Sequence, residues 1–524
     1  MISELYKTDR WLLWVALCGS LLISAWAVHA DDIINNDGIE YLKAAAAILQ
    51  GEWDTAFQTY KWPFYSLTIA AVSAVSGLSL TLSAYLVNAL FNAWLVLAFI
   101  SLVRVLGGTR STLWFAVLII LAFPTINKFR PYLIRDPAFL ALFLSGCYAF
   151  FLYIRDGQIR HNLVAISCLI LAALFRLEGL IYLFFAQGYL LSRHIVSLRG
   201  RILGMVALLL LSFVLLVFIS WWQFASTEKL GYSSLFTQPL AFFEATWGEI
   251  GNAFDYRLRV IEEHVLVGYS RSYAVLVLFW SAASIVGLVL VHSLYYLYFF
   301  LWLVAWRMGL LFPEKALYAP WRFLILASLL ILFGFVMLQW FLASRYTISV
   351  VLLVLLATPF LIAEWYAQLK DRGRYKARFW LAIALIVLSG IKSLDLATKK
   401  HYLREAADWM AENLPTDVRV YTNNRIFAHY YTLDREQGHE QDIKIDPYWS
   451  SWEMFQTGAV LAKRTRKYGA INIKREESHY IEGISRTINR KILAIFENEK
   501  GSRLVIFDFS QGPDAQRPEP KRVE

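Results

Sequence analysis

The sequence predicts an α-helical polytopic membrane protein carrying a small C-terminal α/β domain. Three observations predict it: 58% of the 524 residues are apolar and 16% aromatic, mean hydropathy is +0.48, and uninterrupted apolar runs recur through the first three-quarters of the chain. A soluble globule is about half apolar, and ~20 helical residues cross ~30 Å of hydrocarbon. Strand-type alternation is absent, which excludes a membrane β-barrel. The net charge of +10 does not point to nucleic acid, because most basic residues sit in short loops between apolar runs, as the positive-inside bias requires. Cys18, Cys147 and Cys168 lie inside apolar runs, with neither metal-ligand nor disulfide spacing, and read as core residues.

Lys7 and Arg10 precede the first apolar stretch, Trp11 to Ala30, whose end, Val28-His29-Ala30, faintly resembles a signal-peptidase site. The stretch is longer than a secretory signal needs, so an uncleaved first span with a cytoplasmic N-terminus is expected. Either reading sends residue 31 outward. The polar segment Asp31 to Trp62 holds a helix from Asp37 to Leu49, favoured by its alanine run and ended by Gly51. Phe64 to Ser76 is apolar but short and reads as a half-inserted helix before the span Leu80 to Val103, with Arg104 and Arg110 inside.

Span three, Leu113 to Ile126, leads outward to the stretch Asn127 to Asp136, and span four, Pro137 to Ile154, returns to Arg155, Arg160 and His161. The run Leu163 to Leu191 is broken at Arg176-Leu177-Glu178-Gly179 and reads as two short spans meeting outside. Ile202 to Trp222 leads to a polar loop, Ser226 to Ser272. Four more runs, Ala274 to Val291, Leu294 to Phe312, Phe323 to Phe341 and Thr347 to Tyr366, end at the basic cluster Lys370, Arg372, Arg374, Lys376 and Arg378. Simple alternation leaves that cluster outside, whereas its charge places it inside, so an odd total of 11 or 13 spans is expected. The last span, Trp380 to Leu396, then delivers the tail to the external side.

The expected organisation is a transmembrane module over 1–397, an external α/β domain over 398–510 and a Pro-rich, charged, disordered tail over 511–524. Within the domain, helix signals cover Tyr402 to Asn413 and Trp452 to Tyr468. Strand signals cover Val418 to Thr422, Ala470 to Ile473, Ile492 to Phe496 and Leu504 to Phe509.

Polar residues at the water ends of the spans are the candidates for chemistry. Asp37, Glu40 and Tyr41 share one helix face, though Asp37 with Glu40 also fits a capping box, and Asp136-Pro137 fits an N-cap followed by N1. Spacing alone does not separate capping from catalysis. Lys61-Trp62-Pro63 puts a cation before an apolar helix, which is equally the signature of a snorkelling interfacial lysine. Arg176 and Glu178 would each cost about 2.5 to 3.5 kcal/mol deep in hydrocarbon, and less at the interface. Arg345-Tyr346 supplies a further cation in a loop.

Taken together, Asp37 with Lys61, the Arg135-Asp136 loop, Arg176 to Gly179, Ser344-Arg345-Tyr346 and the α/β tail resemble the GT-C superfamily of polyprenyl-phosphate-sugar glycosyltransferases. The chain is most similar to bacterial relatives of protein O-mannosyltransferases and of the lipid A aminoarabinose transferase. The resemblance covers nearly the whole chain, in order, though each motif alone is weak. It implies that Asp37 is the catalytic or site-organising carboxylate, Asp136 the second acid, and Lys61 and Arg345 contacts to the donor phosphate. Arg135 and Arg176 are weaker donor-phosphate candidates, and Tyr41, Glu178 and Tyr346 would shape the site. Many members carry Asp-Glu at the first position; here Gly38 follows Asp37 and the glutamate is displaced to Glu40, leaving both as candidate bases.

The implied reaction is an inverting transfer of one sugar from a polyprenyl phosphate to a periplasmic glycan, lipid or protein acceptor, at the bacterial inner membrane. A carboxylate assists deprotonation of the acceptor hydroxyl, and Lys and Arg stabilise the departing phosphate. Some relatives use a divalent ion, for which Asp37 and Asp136 would offer Mg²⁺ or Mn²⁺ oxygen ligands. A lipid flippase or transporter, a non-catalytic membrane scaffold, and a polysaccharide polymerase or ligase are the competing readings. The first should show inverted repeats, which the sequence lacks.

Overall fold

The computed structural model describes residues 10–31, 33–60, 62–192, 202, 204, 206, 251–252, 254–372, 375–394, 400–415, 420–433, 443–445, 468–473, 475, 491–499, 501–508 and 521–522. In chain order the first helices are α1 (Arg10–Ala30), α2 (Asn36–Leu49), α3 (Trp53–Thr59), α4 (Phe64–Ser76) and α5 (Leu80–Val105). There follow α6 (Arg110–Ala122), α7 (Pro124–Phe129), α8 (Asp136–Asp156), α9 (Ile159–Phe175) and α10 (Glu178–Ser192). Next come α11 (Ala274–Leu294), α12 (Tyr296–Arg307), α13 (Tyr318–Gln339), α14 (Ile348–Leu355), α15 (Thr358–Arg372) and α16 (Lys376–Leu394). The C-terminal part holds α17 (His401–Asn413), β1 (Val420–Thr422), α18 (Arg425–Leu433), β2 (Ile443–Ile445), β3 (Tyr468–Ile473), β4 (Lys491–Glu497), β5 (Arg503–Asp508) and β6 (Lys521–Arg522).

Most expected helices form within a few residues of their expected ends, and the departures have local causes. Expected span three is two helices. Phe123 is extended because it precedes Pro124, a position that disfavours helical backbone, and Pro124 then opens α7. The last hydrophobic run before the basic cluster likewise divides into α14 and α15, with Pro359 in the first turn of the second. The expected helix at 452–468 lies mostly outside the described residues, and Tyr468 opens β3 instead. The expected span at 202–222 and most of the 226–272 loop also lie outside them.

Residues 1–25, 86–130 and 135–394 form one compact unit, and 26–85, 131–134 and 395–524 a second. Among the described residues, seven helical segments are long and apolar enough to cross a membrane: those at Arg10–Ala30, Leu80–Val105, Asp136–Asp156, Gly268–Leu294, Lys315–Gln339, Ser344–Asp371 and Lys376–Leu394. In the first unit the 344–371 span is largely enclosed by protein, whereas α11 and α16 bury only about a fifth of their most apolar windows. Trp280, Leu288, Trp380 and Leu388 are exposed, as lipid-facing side chains are, since hydrocarbon imposes no penalty on them. Helices α8 and α9 form a hairpin in which Gly146 lets Leu169 approach; a Cβ there would meet Leu169 Cγ at 2.9 Å.

The second unit joins the 31–62 segment to the C-terminal domain. Helix α2 buries Tyr41, Ala44, Ala45 and Ile48 against α3 and α4. The domain is a mixed six-stranded sheet of order β2-β1-β3-β5-β4-β6. Strand β1 runs parallel to β2 and β3, and β5 antiparallel to β3 and β4. Successive residues Leu504 to Phe507 are all buried, so both faces of β5 are covered. Amphipathic α17 lies on the sheet through Tyr402, Leu403, Ala406 and Met410. Lys521 and Arg522 pair with Phe496 and Glu497, inside the stretch expected to be disordered.

Candidate active site

In the first unit the chain makes a tight re-entrant turn between α9 and α10. Arg176 is extended (φ −149°, ψ 130°), and Gly179 sits so close to the preceding helix that a Cβ would meet the Ala173 nitrogen at 2.5 Å and the Leu169 carbonyl at 2.8 Å. These are backbone atoms, so no side-chain movement could relieve the clash. The turn aims Arg176 and Glu178 at one place. Arg176 Nη1 donates to Asp136 Oδ1 and Nη2 to Glu178 Oε1. Its guanidinium lies over the rings of Phe139 at 5.3 Å and Tyr346 at 4.8 Å.

Arg345 lies over the Tyr346 ring at 5.2 Å and donates to its hydroxyl at 3.3 Å; the Arg135 charge acts on Glu178. Thus Asp136, Arg176, Glu178, Arg345 and Tyr346, drawn from three separate stretches of sequence, belong to one network. Within it Arg176 bonds both carboxylates. The Asp136 and Arg176 side chains are each 7% exposed, so the pair sits where charges attract strongly but cost several kcal/mol each to desolvate.

A cavity of about 630 Å³ opens beside this cluster, within the range typical of ligand pockets. Its walls are apolar, with Phe139, Phe335 and Leu338 among them, and Arg176 and Glu178 are its charged groups. Tyr182, Ser328 and Ser349 also line it, already satisfied by one another: the Tyr182 hydroxyl lies 2.9 Å from Ser328 Oγ and 3.0 Å from Ser349 Oγ.

In the second unit Asp37 is half-buried in the first turn of α2, where the helix dipole favours a carboxylate. The capping expectation fails there. Asn35 holds the N-cap position and makes no side-chain cap, because its amide is spent on Leu133: Nδ2 donates to the Leu133 carbonyl at 3.2 Å and Oδ1 accepts from the Leu133 nitrogen at 2.8 Å. Asp136 is likewise the first residue of α8, with Arg135 as N-cap, and spends its carboxylate on Arg176. Gly38 explains the departure from Asp-Glu: a Cβ would meet Leu133 Cβ at 2.9 Å and Asn35 Oδ1 at 3.0 Å.

The displaced Glu40 accepts a hydrogen bond from Arg425 at 2.6 Å. Tyr41 is buried, 3.3 Å from the Tyr60 hydroxyl and edge-on to Tyr60 and Tyr65, so it packs the loop. Lys61 lies outside the described residues. A divalent ion needs several oxygen ligands turned toward it. The Asp136 carboxylate is turned to Arg176, and among the described residues no three His, Cys, Asp or Glu side chains cluster.

Sequence reasoning missed Arg130. It is 1% exposed, and burial lowers it to about 9. Its Nη1 donates to the Ser20 carbonyl and to Ser20 and Ser24 hydroxyls at 3.0, 3.1 and 2.7 Å, and its Nε to Asn127 at 2.9 Å. The one available signal was Ser20 and Ser24, spaced i, i+4 in an apolar span.

No protein-family profile matches this chain, and no curated protein matches it. Solved structures do. The oligosaccharyltransferase of Archaeoglobus fulgidus, in complex with Zn and sulfate, aligns over 94% of this chain and 72% of its own, at 14% identity and a TM-score of 0.50. ArnT from Cupriavidus metallidurans bound to undecaprenyl phosphate aligns over 96% and 98%, at 14% identity and 0.49. The chain has the GT-C fold.

Proposed function

We propose that this protein is an inverting membrane glycosyltransferase that moves a sugar from a polyprenyl-phosphate carrier to a periplasmic acceptor. The observation that carries the reading is the apolar cavity whose charged groups belong to the Arg176 cluster. A lipid phosphate is an amphiphile, with an apolar chain for such walls and an anionic head for guanidinium groups. A non-catalytic scaffold does not require that combination. The fold shared with an oligosaccharyltransferase supports the same reading.

In the proposed reaction an acceptor oxygen bonds to the anomeric carbon as the bond from that carbon to the phosphate oxygen breaks. The hydroxyl proton passes to a carboxylate and the polyprenyl phosphate leaves with the bonding pair. We assign the base to Asp37. Glu40 is the weaker choice because its carboxylate already accepts from Arg425. Arg176, Arg345 and Arg135 are assigned to the leaving phosphate, Lys61 is assigned to it on resemblance alone, and Mg²⁺ or Mn²⁺ has no step here.

The test is transfer by two variants at equal protein level. Asp37→Asn abolishes transfer, and Glu40→Gln keeps most of it, because an amide oxygen still accepts from Arg425. The reverse result moves the base to Glu40; full activity in both removes the carboxylate assignment.

A further inference from the structure

Two contacts reach from α18 of the C-terminal domain to the start of α2, and they bracket Asp37 by three residues on either side. The Tyr430 hydroxyl accepts a buried hydrogen bond from the Ile34 nitrogen at 3.0 Å. Arg425 Nη1 donates to Glu40 Oε1 at 2.6 Å. Helix α18 is itself fixed to the sheet. The Asn424 side chain caps it by accepting from Ile426 and Phe427 nitrogens at 3.0 Å each. The neighbouring Asn423 side chain bridges to Asn472 of β3, accepting at 2.8 Å and donating at 3.0 Å. Arg404 of α17 lies over the Tyr430 ring at 5.4 Å. On its other side the same turn is clamped to Leu133 by Asn35 and by the close approach of Gly38.

We propose that α18 sets the position of Asp37, with Tyr430 and Arg425 as positioning residues, so that the C-terminal domain is a working part of the transferase. The proposal rests on Asp37 being the base. The Glu40–Arg425 pair is more than a third exposed on both sides, so it adds little to stability; its contribution is the direction in which it holds the helix. Displacing a reacting group by ~1 Å can cost about 100-fold in rate.

Full-length protein in membranes is assayed with the polyprenyl-phosphate-sugar extract of the same membranes as titrated donor, and hydrogen exchange is followed in residues 33–49. Tyr430→Phe, which keeps the ring and loses the hydroxyl, and Arg425→Glu each lower the maximal rate about 10- to 100-fold, leave the half-saturating donor level unchanged, and raise exchange in 33–49. The double change Glu40→Arg with Arg425→Glu restores both readouts. Wild-type exchange in the single variants, or raised exchange at an unchanged maximal rate while Asp37→Asn is inactive, overturns the proposal. If Asp37→Asn is fully active the base assignment falls instead, and the exchange measurement alone decides whether α18 holds the turn.

Discussion

Two of the carboxylate–guanidinium pairs, Asp136–Arg176 and Glu40–Arg425, differ in solvent more than in geometry. Asp136 and Arg176 are 7% exposed, whereas Glu40 and Arg425 are 37% and 38% exposed. In the first pair each charge has given up its water, so removing one partner strands the other. In the second, water replaces whatever is removed. Breaking the buried network should therefore cost stability outright, whereas breaking the exposed pair should cost little.

The widest separation between the two comes from truncating one partner. Arg176→Gln removes the guanidinium that bonds both Asp136 and Glu178 and should cost about 3–5 kcal/mol, read as a large fall in thermal midpoint in detergent. The triple variant Asp136→Leu, Arg176→Met and Glu178→Gln, which replaces every charge of the triad, should recover much of that stability while transfer stays absent. A single variant as stable as the wild type would show that the pair is not desolvated.

A second measurement probes the C-terminal domain through pH. Burial, and then the Lys43 charge, lowers His429 to about 4, below its usual value near 6.5. The unfolded chain then binds more protons than the native one between those values, so this contribution is complete above pH ~6.5 and is lost as pH falls toward ~4, by at most about 1.4 kcal/mol per unit. His429→Gln should flatten the pH dependence of stability in that window. An unchanged slope would mean that the ring is solvated.

Gly38→Ala comes next, at about 1–3 kcal/mol, since the added methyl must displace Leu133 or the Asn35 amide; a neutral result would break the close-approach argument. Glu40→Gln has the smallest effect, under about 1 kcal/mol in unfolding experiments, and a larger loss would erase the contrast between the two pairs.

Much of this was legible in the sequence because the signals were local. Helix α4 spans the residues its apolar run marks, and the break at 176–179 falls where Arg, Glu and Gly interrupt a long hydrophobic stretch. Pairings across the chain were not legible. Asp136 and Arg176 are 40 residues apart and Glu40 and Arg425 are 385 apart, and no local pattern encodes either. Arg130 was hidden for a different reason: its partners are neutral serines and an asparagine, so no opposite charge advertised it. Proline positions did carry the divisions at 123–124 and 356–358, but the apolar runs around them masked the interruption.

Mass spectrometry of envelope glycans, glycolipids and glycoproteins, comparing a deletion strain complemented with the wild-type chain or with Asp37→Asn, tests the transferase reading most directly. The wild-type strain should contain a species heavier by one sugar residue that is missing from both the deletion and the Asp37→Asn strain. Identical spectra in all three would contradict it.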